Sequence, residues 1–120
     1  MAPRPIYEVK AQYFKTLGHP ARIRILEVLR DGQHSVGELR PHVGIESSHL
    51  SQQLGVLRRA GIVESRREGS AVIYSVSDPR VFELLELARQ IITTSLSGTT
   101  ELLAELHAIT FSPQGRRSQG

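Results

Sequence analysis

Residues 46–76 read ESSHLSQQLGVLRRAGIVESRREGSAVIYSV, and the period of their apolar positions changes halfway through. Leu50, Leu54 and Leu57 recur at helical spacing and form one inward stripe, which Gly61 closes at its C-terminal end. At about 100° per residue, the opposite face carries Ser48, Gln52, Gly55 and Arg59, flanked by His49 and Ser51. That face is small and polar. From Ile62 onward the period drops to two: residues 62–67 and 71–76 read as strands, with Val72, Tyr74 and Val76 alternating, joined by Glu68-Gly69-Ser70. The stretch therefore predicts a helix over about residues 46–60 followed by a β-hairpin over 62–76.

Three helices are predicted upstream. Ser35-Val36-Gly37-Glu38 has the form of a capping box, in which the Ser hydroxyl and the Glu carboxylate each accept from the other residue's backbone N–H, so a helix should begin at Val36. Pro41 and Gly44 confine it to about two turns. Before it, an amphipathic helix follows Pro20, turns Ile25, Leu26 and Leu29 inward, and stops at Asp31-Gly32. A first helix carries Ile6, Val9, Tyr13 and Leu17 at helical spacing, with Tyr7, Ala11 and Phe14 widening its apolar face, and ends at Gly18.

Downstream, Asp78-Pro79 reads as a helix start, with Asp as N-cap and Pro at the first helical position. The apolar positions that follow are Val81, Phe82, Leu84, Leu85, Leu87, Ala88, Ile91 and Ile92, too many for one core-facing stripe. Part of that surface is expected to pack against another chain. Ser97-Gly98 marks an interruption, Leu102, Leu103 and Leu106 a further amphipathic stretch, and residues 111–120 a disordered tail behind a domain of residues 1–110.

Composition narrows the function classes. A chain of 120 residues with 39% apolar and 22% charged residues suits one globular core. With no cysteine, disulfides, thiolate metal sites and thiol redox switches are excluded. Residues 1–78 hold 11 basic and 8 acidic groups and residues 79–110 hold 2 and 4, so the net charge of +3 lies toward the first two-thirds of the chain and the tail. Charges interrupt every apolar run, so no membrane segment is expected; no secretory signal is visible at MAPRPIYEVK, and a cytoplasmic protein is expected. A Gly-rich phosphate loop, a nucleophile elbow and HExxH are all missing, so the chain reads as no enzyme, with no cofactor.

Helix, helix, short helix, turn, polar-faced helix, hairpin, long helix is the order of a mainly α winged helix-turn-helix, whose second motif helix enters the major groove of DNA. A helix that reads bases presents short donors and acceptors near its N-terminus, and Ser47, Ser48, His49, Ser51, Gln52 and Gln53 supply them. Gln52 points directly away from the leucine stripe, where its amide can pair with the N6/N7 edge of adenine. Gln53 lies nearer the buried side, with packing or a phosphate as its alternatives. Arg58, Arg59, Arg66 and Arg67, with Ser70 at the wing tip, suit phosphates or the minor groove. Against these stand plainer readings: a solvated helix face, a charged exposed hairpin, and Tyr74 as a packing residue.

LGHPARIRILEVL at residues 17–29 and the run from Ser35 to Val76 closely resemble the ArsR/SmtB family of bacterial transcriptional repressors over roughly residues 8–92. LSQQLGVLRRAGIVESRREG, residues 50–69, is the most specific part. The resemblance implies a homodimer built from the first and last helices, here through Ile6, Val9 and Tyr13 and through Val81, Leu84, Leu85, Ala88, Ile91 and Ile92. Geometry points the same way. One short recognition helix covers only a few base pairs, so specificity needs two on an inverted repeat of double-stranded DNA.

The family's usual sensing devices do not match. Its Cys-x-Cys site and dithiol switch need cysteines that are absent here. Its last-helix metal site, Asp-x-His with His-x-x-(His or Glu) later, meets Asp78, Arg80, Ile91 and Thr94, so only the first ligand agrees and no metal is expected there. His19, His34, His42, His49 and His107 include no pair four residues apart. The alternatives are a winged-helix module that binds another protein, and a repressor with a nonstandard His/carboxylate metal site. The sequence names no small-molecule or ion effector.

Overall fold

Local capping chemistry sets most element boundaries in the computed structural model, which describes residues 3–96 and Glu105. Helix α1 (Ile6–Leu17) ends at Gly18, and α2 (Pro20–Leu29) starts on His19. The Ala21 N–H donates to His19 Nδ1 at 3.1 Å, and Pro20 takes the first position, where a missing N–H costs nothing. A two-residue strand, β1 (His34–Ser35), leads into α3 (Val36–Val43). The expected capping box is formed: the Glu38 N–H donates to Ser35 Oγ at 3.2 Å and the Ser35 N–H to Glu38 Oε1 at 2.8 Å.

Helix α4 (Ser47–Arg59) ends in a paired turn. The Gly61 N–H donates to the Arg58 carbonyl and the Ile62 N–H to that of Leu57, both at 3.0 Å, with Gly61 at φ +78°, which a Cβ would strain. This reversal feeds β2 (Val63–Glu68), which pairs antiparallel with β3 (Ala71–Val76). The connection is the two residues Gly69-Ser70, shorter than expected, with Gly69 at φ +62°. The Ser77 N–H to the Ile62 carbonyl, 2.9 Å, closes the hairpin's base.

Strand β1 was not anticipated. It lies on the other edge of β3, pairing His34 with Tyr74 and Ser35 with Ile73, to give the sheet order β1-β3-β2. Two residues carry no readable alternation, so its existence depends on the neighbouring edge rather than on its own sequence.

The chain divides into two compact units after Pro79. In the first, Leu17, Ile25, Leu26, Leu29, Leu39, Leu50, Leu54, Leu57, Ile62 and Val63 are buried, each worth about 1.5–3 kcal/mol of transfer energy. The second contains α5 (Arg80–Leu96), which begins one residue later than the Asp78-Pro79 signal predicts. Its Val81 is 4% exposed and so has almost no surface left to offer a second chain, which corrects its place among the dimer residues. Leu84 and Leu85 are half-buried, while Ala88, Ile91 and Ile92 are exposed. The expected stretch around Leu102, Leu103 and Leu106 and the tail of residues 111–120 lie outside the described residues.

Candidate nucleic-acid interface

On α4 the leucine stripe is fully buried, so the helix has one committed face and one free one. Ser47, Ser48, Ser51, Gln52, Arg58 and Arg59 are exposed, and His49 is half-buried. Ser48 Oγ donates to Glu46 Oε1 at 2.9 Å at the start of the helix. Ser48, Gln52, Gly55 and Arg59 run along one ridge, as the spacing requires. Arg59 folds back along it: a Cβ on Gly55 would sit 3.1 Å from Arg59 Nη1. The absent side chain at Gly55 therefore lets a guanidinium lie flat against the helix, next along the ridge from Gln52.

Gln53 does not belong to this face. It is 5% exposed, and its Oε1 accepts from Arg22 Nε at 2.7 Å. The outer-face role is thus corrected for Gln53, and the spacing already carried the signal. It stands three residues after Leu50 and four before Leu57, inside the stripe. Arg22 was missed altogether, because an arginine on a predicted amphipathic helix gives no sign of where its guanidinium goes.

The wing separates two arginines by strand alternation. Arg66 and Glu68 share one side of β2, and Arg66 Nη2 meets Glu68 Oε2 at 2.7 Å while Nη1 donates to Gln33 Oε1 at 2.6 Å. Arg67, on the other side, is exposed and makes no hydrogen bond or ion pair among the described residues. Ser70 is exposed at the tip, and Tyr74 is half-buried on the central strand. The two arginines are therefore not equivalent donors. One is neutralised in place; the other is free to meet an anion.

The histidines are scattered. His19 caps α2, and its ring meets that of His49 edge-on at 6.4 Å. His34 Nδ1 lies 3.5 Å from Glu38 Oε1, and the His42 carbonyl accepts from Arg24 Nε at 3.1 Å. Among the described residues no three His, Asp or Glu side chains come together as a metal-holding group. No described helix is long and apolar enough to cross a membrane.

Residues 19–65 match the bacterial regulatory protein arsR family, a span running from the cap of α2 into the wing. The HTH-type transcriptional regulator Rv0081 of Mycobacterium tuberculosis is 55% identical over 109 residues, covering 90% of this chain and 96% of that one. The chain belongs to the ArsR family. Like its relatives, this ArsR protein is a transcriptional regulator rather than an enzyme, and its fold is the winged helix-turn-helix. The crystal structure of Rv0081 superposes with a TM-score of 0.73 over 80% of this chain and 97% of that one. The transcriptional repressor BigR from Xylella fastidiosa, 40% identical, gives 0.66 over 71% and 87%. A homodimeric winged helix-turn-helix DNA-binding domain from Mycobacterium bovis, 26% identical, gives 0.69 over 83% and 97%.

Proposed function

We propose that this ArsR protein is a homodimeric repressor that reads an inverted-repeat operator, with α4 in the major groove and the β2-β3 hairpin as the wing. The observation that carries the reading is the division of α4: a buried leucine stripe below, and above it a ridge of short polar side chains with a guanidinium at its end. Short side chains let a helix sit deep in a groove about 12 Å wide, and the exposed amide of Gln52 is of the kind that pairs with adenine. Arg58, Arg59 and Arg67 hold the complex by phosphates rather than by sequence.

A dimer supplies the second half-site. Ile6, Tyr7, Val9, Tyr13 and Phe14 on α1, and Leu87, Ile91 and Ile92 on α5, are large apolar side chains left exposed on a single chain. Surface of this kind marks association. Burial, and then the charge of Asp78, raise the Tyr13 phenol above its usual value. BigR is a repressor and the M. bovis domain a homodimer, and both are similar to this chain over most of the described residues.

The test is selection by the full chain from a pool of random duplexes at moderate salt. The expected product is a two-fold symmetric sequence with half-site centres about one helical turn, 10–10.5 base pairs, apart. Enrichment of no sequence, with equal affinity for random DNA, overturns the reading in favour of a winged-helix module that binds another protein.

A further inference from the structure

The guanidinium of Arg22 holds two elements at once. Its Nε donates to Gln53 Oε1 on the buried side of α4 at 2.7 Å, and its Nη1 donates to the Thr16 carbonyl in the last turn of α1 at 3.0 Å. Thr16 is itself buried, and its Oγ1 donates to the Gln12 carbonyl at 3.0 Å, so the acceptor end is anchored within α1. The planar fork of an arginine fixes both direction and distance of its partners, unlike a lysine.

We propose that Arg22 is a positioning residue, with Gln53 as its acceptor, that sets the angle of the recognition helix against α1. The consequence is functional. Helix α1 carries one of the exposed apolar faces proposed for the dimer, so a strut between α1 and α4 fixes how far apart two recognition helices stand. Half-site spacing, rather than the identity of any base, is what the strut governs. Packing of Leu50, Leu54 and Leu57 holds α4 in the core. Apolar burial is non-directional, whereas a charge-assisted hydrogen bond constrains both angle and distance, so the polar bridge adds the orientational restraint.

The proposal rests on α4 reading the groove and α1 forming half of the dimer, and the experiment separates the two. The probe is the duplex enriched by the wild-type full chain, compared with the same duplex carrying one extra base pair between half-sites, which shifts them by about 3.4 Å. Wild type is expected to prefer the enriched spacing by roughly tenfold or more, as a lost charged hydrogen bond suggests. Gln53→Met and Arg22→Met each keep side-chain bulk and helix propensity. Both are expected to bring that spacing preference close to unity, and the double variant to lose no more than either single one, because all three remove the same bridge. Gln53→Glu, which still accepts from Arg22, restores the preference. If Gln53→Glu instead weakens binding to every duplex as much as Gln53→Met weakens spacing, the side chain faces phosphate and the proposal fails. It also fails if the variants unfold at lower temperature but keep the spacing preference while folded. Should wild type enrich no symmetric duplex, the reading beneath the proposal fails with it.

Discussion

Arg66 and Arg67 stand side by side in sequence, yet the structure predicts opposite consequences for removing them. A phosphate contact releases condensed counterions, and each contact adds about 0.9 to the log–log slope of affinity against salt. One Arg67 from each protomer gives about 1.8, so between 50 and 200 mM salt the wild type should lose about twelvefold more affinity than Arg67→Ala. Arg66 is held by Glu68 at 2.7 Å and Gln33 at 2.6 Å, and the pair presents no net charge to DNA. Arg66→Ala should leave the slope within a few tenths of wild type, while Glu68→Gln, which removes the opposing charge, should steepen it toward about 0.9 more per protomer. The assay is fluorescence anisotropy on the enriched duplex across four or more salt concentrations. Equal flattening by Arg66→Ala and Arg67→Ala, or an unchanged slope in Glu68→Gln, would mean that the Glu68 ion pair does not keep Arg66 from the phosphates.

Leu54→Ala empties a fully buried site at the centre of the α4 stripe and should cost about 2.7–5 kcal/mol of stability in urea titration, with a smaller loss showing that the site collapses. The backbone N–H of Ser35, and after it His34, hold the Glu38 carboxyl below its usual value. A depressed carboxylate stabilises above its unfolded value and loses that contribution as pH falls through the folded one. The stability difference between wild type and Glu38→Ala should therefore be present at neutral pH and shrink below about pH 4, as followed by circular dichroism. Ile91→Glu places a charge on a side chain 58% exposed on one chain, so sedimentation should show monomers while circular dichroism shows unchanged helix content, and a persistent dimer removes α5 from the interface.

Where local chemistry decides structure, the sequence was legible. Ser35 and Glu38 announce a capping box, Gly61 a left-handed stop, and Gly69 a tight hairpin, because each is a bond or a dihedral within a few residues. The ridge of Ser48, Gln52 and Arg59 was legible for the same reason, as helical spacing is local. What sequence could not carry is any partner chosen at long range. Arg22 reaches Gln53 across 31 positions and Arg66 reaches Gln33 across 33, and nothing in either neighbourhood names the other. Strand β1 is of this kind as well, since two residues become a strand only when the edge of β3 arrives. Val81 followed the apolar count of its helix onto a proposed surface, and only its burial corrects it.

Everything proposed for DNA recognition turns on base reading by the outer ridge of α4. Gln52→Ala measures it most directly, through the base preference of the full chain at every position of the enriched duplex. Discrimination is expected to fall by about 1–3 kcal/mol at one adenine-bearing pair in each half-site, symmetrically, while affinity for random DNA and the salt slope stay as in wild type. An unchanged preference at every position, or a uniform loss on specific and random duplexes alike, contradicts it.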